Sequence, residues 1–410
     1  MKLKAISSSV LLALLPVSGV YAAALDRSGQ SISAFLQPNN YFEAGISILD
    51  PSVGGITGAD NGNAKVSDMA GDYYFPSAAL KLQLNEQFSF GLLYDQPFGA
   101  DAYYTDGGKY TGTNVEVNSN NITALVGFQP NESFNFYGGG VYQDVRGDLT
   151  LSSIGYTAQF KRDDGFGWLA GAAYQIPEIA LKVSLTYRSE IDHELETNET
   201  ANAIAGQIAA GIAQIQAIPA PLRPPNVQAQ LAALQGVSAK LSSSSRDTKI
   251  TTPQSVNLDF QTGIMANTVA FANVRWVEWG GMDIDIDKFR VITAFNGLNG
   301  GQGENIIEYK KDQWSANVGV GRKFSDQWAG NFSVGWDSGA GNPVTALGPT
   351  EGYWNIGLGA QFSPTPATFI SAGVKYFMLG NADAVSAGQS VGRFEDNEAL
   401  AYGLKMGYRF

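Results

Sequence analysis

The stretch Leu400–Phe410, LAYGLKMGYRF, has the period of a β-strand that separates two different environments. One face of such a strand would have only apolar side chains: Leu400, Tyr402, Leu404, Met406, Tyr408 and Phe410. The other face would have small or charged side chains: Ala401, Gly403, Lys405, Gly407 and Arg409. Since side chains alternate across a strand, the first face suits lipid and the second suits a polar lumen. The stretch predicts the closing strand of a transmembrane β-barrel.

The same alternation recurs earlier in the chain, for example at residues 181–188 (LKVSLTYR) and 354–362 (WNIGLGAQF). The connections between such segments alternate in length. Short turns lie near residues 85–86, 130–132, 176–178, 266–267, 325–327 and 364–366. Long polar stretches lie near residues 51–72, 97–113, 147–163, 192–248, 281–304, 338–350 and 381–395. Short periplasmic turns and long outer loops are typical of outer-membrane barrels.

Six turns and seven loops predict an all-β fold: an antiparallel up-and-down transmembrane barrel of about 14 strands over residues 40–410. An even number of strands places both chain ends on the periplasmic side. The last strand would close against the first strand, near Tyr41–Leu49. A soluble β-sandwich or propeller is the alternative interpretation.

The N-terminus has the features of an export signal. Lys2 and Lys4 precede a short apolar run at residues 10–15, and Ala22–Ala24 form an A-x-A cleavage site. The run is too short to span a bilayer as a helix. We expect residues 1–24 to be a signal peptide that is cleaved near Ala24.

One outer segment, about residues 195–245, departs from the strand period. Apolar residues recur there every three or four positions, which predicts two amphipathic helices on either side of the Pro-rich stretch 219–225. The helices either pack on each other and on the barrel rim or form an apolar landing surface. The candidate landing residues are Ile204, Ile208, Ile212, Ile215, Val227, Leu231 and Leu234.

The composition offers little for catalysis. The 410 residues include no cysteine, so a thiol metal site cannot be assembled, and the one histidine, His193, lies in a charged stretch at a strand end, where a lone exposed histidine is more often incidental than catalytic. We expect no enzyme activity, no metal and no cofactor. The net charge of −12 argues against nucleic acid as a partner. Transport, pore formation or adhesion are the remaining function classes.

Several short motifs, taken in order, resemble the outer-membrane long-chain fatty acid transporter (FadL) family, which includes importers of aromatic hydrocarbons. They run over most of the exported chain: Asp50-Pro51, Pro97-Phe98-Gly99, Leu185–Glu190 (LTYRSE), Thr252–Val256 (TPQSV), Asn273 with Trp276 and Trp279, and Asp326–Trp328 (DQW) leading to Gly335–Ser338 (GWDS). Each motif is short, and their order and spacing make the resemblance specific.

The resemblance implies a 14-stranded barrel that takes up hydrophobic ligands passively. In that family a ligand lands among the outer loops, moves to a pocket in the lumen and leaves sideways through the wall. Pro97, Phe98 and Gly99 match the region of the third strand that opens the wall; an ordinary strand end is the alternative. Residues 25–39 correspond to the hatch that plugs the lumen, but this hatch is short and lacks the usual Asn-Pro-Ala motif.

We expect long-chain fatty acids to be the ligands. Importers of aromatic hydrocarbons, a non-specific diffusion porin and a surface adhesin are the alternatives. A carboxylate head group needs a basic partner in the lumen, for which Lys182, Arg188 and Arg275 are candidates; an inner-wall ion pair is the other interpretation of each. Further expected partners are outer-membrane lipid and the barrel assembly machinery, which would read the strand that ends in Phe410. We expect a monomer.

Overall fold

The computed structural model describes residues 25–410, so the predicted signal peptide, residues 1–24, lies outside the described part of the chain. Fourteen long antiparallel strands follow one another in chain order around a closed barrel, which confirms the predicted fold class. They are β1 Tyr41–Ser52, β2 Tyr73–Gln83, β3 Phe88–Asp95, β4 Asn114–Asn131, β5 Phe134–Leu151, β6 Tyr156–Ile176, β7 Leu181–Arg188, β8 Ser255–Met265, β9 Thr268–Val277, β10 Gln313–Lys323, β11 Trp328–Asp337, β12 Tyr353–Phe362, β13 Thr368–Leu379 and β14 Glu398–Arg409.

The barrel closes where its first and last strands meet. β1 and β14 form an antiparallel ladder that runs from Tyr41 opposite Arg409 to Ser52 opposite Glu398. Because hydrocarbon offers no partner to a backbone N–H or C=O group, only a sheet without free edges is stable in a membrane. The ladder confirms the predicted pairing of the last strand with the first.

The two faces of the wall have the predicted polarity. On β14, the side chain of Leu404 is 47% exposed on the outer surface, whereas its neighbour Lys405 is 4% exposed and faces the lumen. There the Lys405 Nζ atom lies 3.2 Å from Glu43 Oε1. The outer surface therefore suits lipid, and charges on the inner surface are compensated within the lumen.

β4, β5 and β6 are the longest strands, with 18, 18 and 21 residues, and they extend together beyond the height of the other wall strands. The prediction of a long loop near residues 147–163 was wrong, because β5 and β6 run through most of these residues. Leu149 and Leu151 of β5 and Tyr156 and Ala158 of β6 are buried, so the inward positions keep the strand period. The outward positions there are mainly polar, which gave the stretch the composition of a loop.

The outer segments build an apolar cap over the barrel from three helices and several short strands. The helices are α1 Asn202–Gln216, α2 Pro225–Ser242 and α3 Asp287–Phe295. A five-stranded outer sheet joins Val344–Thr345, Ala382–Ser386, Gln389–Phe394, Gly55–Thr57 and Lys65–Val66. Two strand pairs, Ile191–Leu195 with Thr248–Thr252 and Asp283–Ile284 with Ile307–Glu308, complete the cap.

The helical segment forms where the sequence predicts it. Pro225 occupies the first turn of α2, where a missing N–H group leaves no hydrogen bond unmade. α1 and α2 contact each other, and α2 contacts α3. Within residues 25–410, the helices are all too short or too polar to cross a membrane.

Residues 25–39, the predicted hatch, lie inside the lumen before β1 begins, and we keep the name hatch for them. Ile32, Phe35 and Leu36 of the hatch are buried against the inner wall. The wall makes room for the Phe35 ring with a glycine, because a Cβ atom on Gly91 would lie 2.4 Å from Phe35 Cδ2. The hatch is therefore seated by close packing as well as by polar bonds.

Candidate functional site

An apolar cavity of ≈ 60 Å³ lies above the hatch and beneath the cap. Leu25 of the hatch and Phe98 form its floor, and Ile284, Ile286 and Ile307 of the cap lie on the opposite side. Inward side chains of β4, β5 and β6 complete the wall. The surface that the described residues expose to this cavity is entirely apolar, so it suits a ligand without charge.

The floor of the apolar cavity is aromatic. The Phe98 ring is buried and meets the Trp279 ring edge to face, with the ring centroids 5.7 Å apart. Trp279 is fully buried, and its Nε1–H group donates to Gln313 Oε1 at 2.7 Å. This bond satisfies the only polar atom of the indole and fixes the ring.

The third wall strand is kinked beside this cavity. The ladder with β4 pairs Asp95 with Asn121 and resumes with Gly99 opposite Asn118. Gln96, Pro97 and Phe98 therefore lie opposite only two residues of β4, Ser119 and Asn120. This extra residue makes a β-bulge. The Ser119 hydroxyl satisfies the displaced backbone, since it accepts from the Phe98 N–H group and donates to the Phe98 carbonyl. The predicted residues Pro97, Phe98 and Gly99 thus lie at a real break in the ladder.

The kink leaves a gap in the wall between β2 and β3. The ladder between these strands ends where Ala78 pairs with Tyr94, and contact resumes where the Gly71 N–H group donates to the Asp101 carbonyl. Between these points the described chain pairs β2 only with β1 on its other edge. We call this interval the wall gap.

The N-terminal part of the hatch fills the wall gap from inside. The Arg27 N–H group donates to the Pro97 carbonyl at 2.6 Å, and the Gly99 N–H group donates to the Leu25 carbonyl at 2.9 Å. The Arg27 guanidinium lies 3.6 Å from the centre of the Tyr73 ring of β2. Arg27 therefore bonds to one side of the gap through its backbone and stacks on the other through its side chain.

Arg275 of β9 holds the hatch rather than an open site. Its Nε atom donates to Asp26 Oδ2 at 2.7 Å, and both side chains are almost fully buried. Its two terminal nitrogens donate to Gln30 Oε1 at 3.0 Å and to Asn257 Oδ1 at 2.7 Å. A buried ion pair of this kind is costly to break from one side, because the remaining charge has no partner.

Lys182 also bonds to the hatch. Its Nζ atom donates to the Leu36 carbonyl at 2.6 Å, and Lys81 Nζ donates to the next carbonyl, that of Gln37, at 2.7 Å. These lysines border a polar vestibule of ≈ 950 Å³ among the short turns. Two of the three predicted head-group residues are therefore engaged by the hatch.

Arg188 is the exception. It is 6% exposed, and within residues 25–410 its guanidinium has neither a hydrogen bond nor an ion pair within 4.0 Å. It borders a polar cavity of ≈ 170 Å³ around the N-terminal part of the hatch, together with Asp95 and Asp259. Arg188 is thus the one of the three predicted head-group residues that the hatch does not engage.

α1 and α2 contact each other as a hairpin, which we call the helical hairpin. The predicted landing residues lie mainly inside it. Ile208 and Leu234 are buried in the cap, and the other predicted landing residues are half-buried: Ile204, Ile212, Ile215, Val227 and Leu231. The exposed apolar surface lies instead at the tip of the hairpin, where Leu222 is 71% exposed and Ile218 is 39% exposed.

Sequence reasoning missed Asp26, Arg27 and Trp279 as site residues. Trp279 appeared only as part of a motif, and the paired charges at Asp26 and Arg27 directly follow the predicted cleavage site. A charged pair so close to the predicted cleavage site was the available signal for an anchored hatch.

A closed barrel with a lumen plug, a dry apolar cavity and a wall gap defines an outer-membrane channel for hydrophobic compounds. A family model described as outer membrane protein transport protein (OMPP1/FadL/TodX) matches residues 23–410. The chain belongs to this family. It is a bacterial outer-membrane transporter of hydrophobic compounds, and because the family consists of transport channels it is not an enzyme.

Solved structures share the fold. A Pseudomonas aeruginosa FadL homologue superposes with a TM-score of 0.69 at 16% identity, with 92% of each chain covered. The Pseudomonas putida toluene transporter TodX gives a TM-score of 0.58 at 11% identity, over 95% of this chain and 98% of that one. The CymD monoaromatic hydrocarbon channel gives 0.55 at 10% identity, over 97% of each. No curated protein sequence matches the chain.

We expect Arg275→Met to loosen the hatch, because Asp26 would remain buried without its partner. Losing one member of a buried pair costs about 3–5 kcal/mol. The N-terminal segment should become sensitive to protease, and single-channel conductance in planar bilayers should rise from a low value. Lys323→Met, which removes a pair with the fully exposed Asp326, is the control and should change neither property. Unchanged protection and conductance in Arg275→Met would refute the anchoring role.

Proposed function

We propose that the protein takes up small, neutral hydrophobic compounds, aromatic hydrocarbons among them. The apolar cavity above the hatch supports this proposal. Its lining offers no partner to a charged group, and moving an ionised carboxylate into such surroundings costs far more than any gain from packing. A neutral ring or short alkyl group gains about 25 cal/mol for each Å² that it removes from water.

The size of the apolar cavity also favours a small ligand. Its volume of ≈ 60 Å³ is below the roughly 150 Å³ of a dry protein cavity known to hold benzene. A single ring requires modest displacement of the surrounding side chains. A long alkyl chain requires the cavity to open along most of its length.

Long-chain fatty acids are the second candidate, and Arg188 supports them. A buried guanidinium without a partner favours an anion such as a carboxylate. Asp95 and Asp259 border the same polar cavity and oppose a second negative charge there. Fatty acids would therefore place the carboxylate beneath the hatch and the alkyl chain in the apolar cavity, with the Leu25–Phe98 floor displaced.

The proposed route ends at the wall gap. Phe98 borders the apolar cavity through its ring and the wall gap through its backbone, so the cavity and the gap share one residue. When Arg27 leaves the Tyr73 ring, a ligand can pass from the cavity into membrane lipid without exposing apolar surface to water. Each methylene kept out of water contributes about 0.8 kcal/mol, which drives passive transfer.

The helical hairpin is proposed as the landing surface. Its exposed tip, Ile218 and Leu222, offers apolar area to a ligand in water, and its stripe of half-buried residues continues towards the cap. A diffusion porin is less well supported, because the hatch and the apolar cap both lie across the lumen.

We further propose that the protein acts as a monomer, which cross-linking in membranes tests. We also propose that the barrel assembly machinery reads the strand ending in Phe410, which deletion of Phe410 tests.

A disulfide across the wall gap should stop release. The chain has no cysteine, so Ser77→Cys with Gln96→Cys introduces one defined pair on opposite sides of the gap. We expect uptake of toluene by cells to fall at least tenfold and to return with reductant. The control pair Ala79→Cys with Leu93→Cys joins residues already opposite each other in the ladder and should leave uptake unchanged. Normal uptake through the oxidised gap variant would exclude this route.

The two ligand classes make opposite predictions for Arg188→Gln. If the cargo is neutral, toluene binding to the purified protein stays within twofold of the unaltered protein. If a carboxylate binds Arg188, oleate affinity falls at least tenfold in the variant, since a charged hydrogen bond contributes about 1.5–3 kcal/mol. Calorimetric titration with both ligands decides between the classes. Tight oleate binding together with no toluene binding would overturn the preferred proposal.

Removing the landing surface should slow uptake without changing the cavity. We expect deletion of residues 201–241 to lower the initial uptake rate of toluene several-fold at low ligand concentration, and to leave it unchanged at saturation. The milder variant Ile218→Ser with Leu222→Ser should show part of the effect if the tip is the contact. Equal rates at every concentration would remove the landing role.

A further inference from the structure

The wall has a second interruption, on the side of β6 that faces β7. The ladder between β6 and β7 ends with Leu169 opposite Arg188 and resumes with Phe160 opposite Thr197. Two backbone bonds mark the ends of this interval: Lys161 N–H donates to the Glu196 carbonyl, and Ser189 N–H donates to the Trp168 carbonyl. In the described chain, the intervening strand Ile191–Leu195 pairs with Thr248–Thr252 instead. We call Ile191–Leu195 the inner strand.

Two glycines of β6 allow the inner strand to lie inside the barrel wall. A Cβ atom on Gly165 would lie 2.6 Å from Ile191 Cγ2 and 2.8 Å from the Asp192 carbonyl oxygen. A Cβ atom on Gly167 would lie 2.6 Å from Ile191 Cγ1. Main chain and side chain of the inner strand therefore cover positions where the lumen-facing side chains of β6 would normally be. This displacement is built into the sequence of β6.

The inner strand is also a wall of the apolar cavity. Leu195 borders that cavity, as do Ile250 and Thr252 of the strand paired with it. Any movement of the inner strand towards β6 therefore changes the volume and the lining of the ligand cavity.

The single histidine of the chain holds the inner strand in place. His193 is 3% exposed, and its Nε2 atom lies 2.9 Å from Gln143 Oε1 of β5. Gln143 Nε2 donates to Asn121 Oδ1 at 2.9 Å, and Thr252 donates its hydroxyl to Gln143 Oε1 at 2.6 Å. The Nε2–H tautomer fits this network, because Gln143 Oε1, which already accepts from the Thr252 hydroxyl, faces the imidazole.

The second imidazole nitrogen, Nδ1, has no proton in this tautomer and faces the carboxylate of Asp163. His193 Nδ1 lies 3.5 Å from Asp163 Oδ2 and has no hydrogen bond within the described residues. Asp163 Oδ2 instead accepts the Glu194 N–H group at 2.9 Å. In the neutral state a lone pair thus opposes a negative charge, and a proton on Nδ1 would turn this contact into an attraction.

The other charged groups near His193 are paired among themselves. Arg162 of β6 lies 3.5 Å from Asp144 of β5, and Lys249 lies 3.8 Å from Glu194. Asp192 accepts from the Thr251 hydroxyl at 2.7 Å. Asp192 and Glu194 point outwards into water, so the inner strand lies beyond the membrane-spanning part of the wall.

We propose that His193 is a proton-operated latch that sets the shape of the apolar cavity. When neutral, it holds the inner strand to Gln143 and keeps the cavity small and dry. When protonated, His193 is a buried charge that the neighbouring carboxylates compensate only in part, and this cost favours a displaced inner strand, which opens the cavity wall and weakens ligand binding. This inference rests on the proposed function, since it needs the apolar cavity to hold the ligand.

The direction of the pH dependence follows from the burial of the imidazole. Burial lowers the pKa of His193, and the nearby Asp163, Asp192 and Asp144 carboxylates offset this only in part. The latched state therefore binds the proton poorly and predominates above the ordinary histidine pKa of about 6.5. Lowering the pH favours the state in which His193 binds a proton more readily, which is the unlatched state. The latch therefore opens as the pH falls below this value.

Two measurements on tag-free protein in detergent test the latch. Because the chain has one histidine, a ¹⁵N-imidazole NMR titration reports His193 alone; we expect the Nε2–H tautomer at pH 7.5 and a midpoint below 6.5. Binding of the neutral fluorophore N-phenyl-1-naphthylamine should weaken at least threefold between pH 7.5 and 5.0. In His193→Gln, whose amide can still donate to Gln143, affinity should match the unaltered protein at pH 7.5 and stay constant. Asp163→Asn should lower the NMR midpoint.

An Nδ1–H tautomer at pH 7.5, or the same loss of affinity in His193→Gln, would overturn the latch. Failure of the proposed function looks different: the fluorophore would then bind at neither pH in either protein. In that case the NMR titration still tests the contact between His193 and Asp163. If Asp163→Asn and the unaltered protein have the same His193 titration midpoint, the contact is rejected.

Discussion

Everything in this barrel depends on the rule that backbone polar groups must find partners away from water. β1 meets β14 along twelve paired residues, and the sheet closes without a free edge. The wall gap between β2 and β3 interrupts the ladder, and Ser119 and the hatch supply the partners that the backbone loses there. The proposed sideways release needs such an interruption.

The hatch is therefore part of the wall as well as a plug. Its first residues complete the ladder beside Pro97, and its acid Asp26 is held across the lumen by Arg275. The same few residues seal the gap, floor the apolar cavity and bear a buried charge. A ligand that displaces Leu25 from the floor disturbs the neighbours that seal the gap, so occupancy and release are coupled through adjacent residues of one segment.

The sequence was sufficient for those features that depend on period. Alternation along 400–410 indicated which face meets lipid, and recurrence every three or four residues located α1 and α2. Lumen-facing positions such as Arg188 followed from the same rule. The wall break at Pro97 followed from the family resemblance.

Features that depend on partners distant in sequence could not be derived in this way. Arg275 meets Asp26 across 249 positions, and a basic residue facing the lumen gives no sign of whether it binds a ligand or the hatch. The length of β5 and β6 was missed for a different reason. Outside the membrane, outward positions of a strand become polar, and a strand then has the composition of a loop. The inner strand at Ile191 depends on glycines of another strand, which no local pattern reveals.

The two ends of the hatch are held very differently, and this limits how far it can travel. At its C-terminal end the chain continues into β1, and Lys81 and Lys182 bind the carbonyls of Gln37 and Leu36. Once the predicted signal peptide is removed, the N-terminal end has only non-covalent attachments. The hatch can therefore swing like a short arm but cannot leave the barrel. From Leu25 to Ser31 its reach is roughly 25 Å, at about 3.5 Å per extended residue. In the proposed route the same arm is still at the gap after release, so resealing would be an intramolecular step that does not slow on dilution.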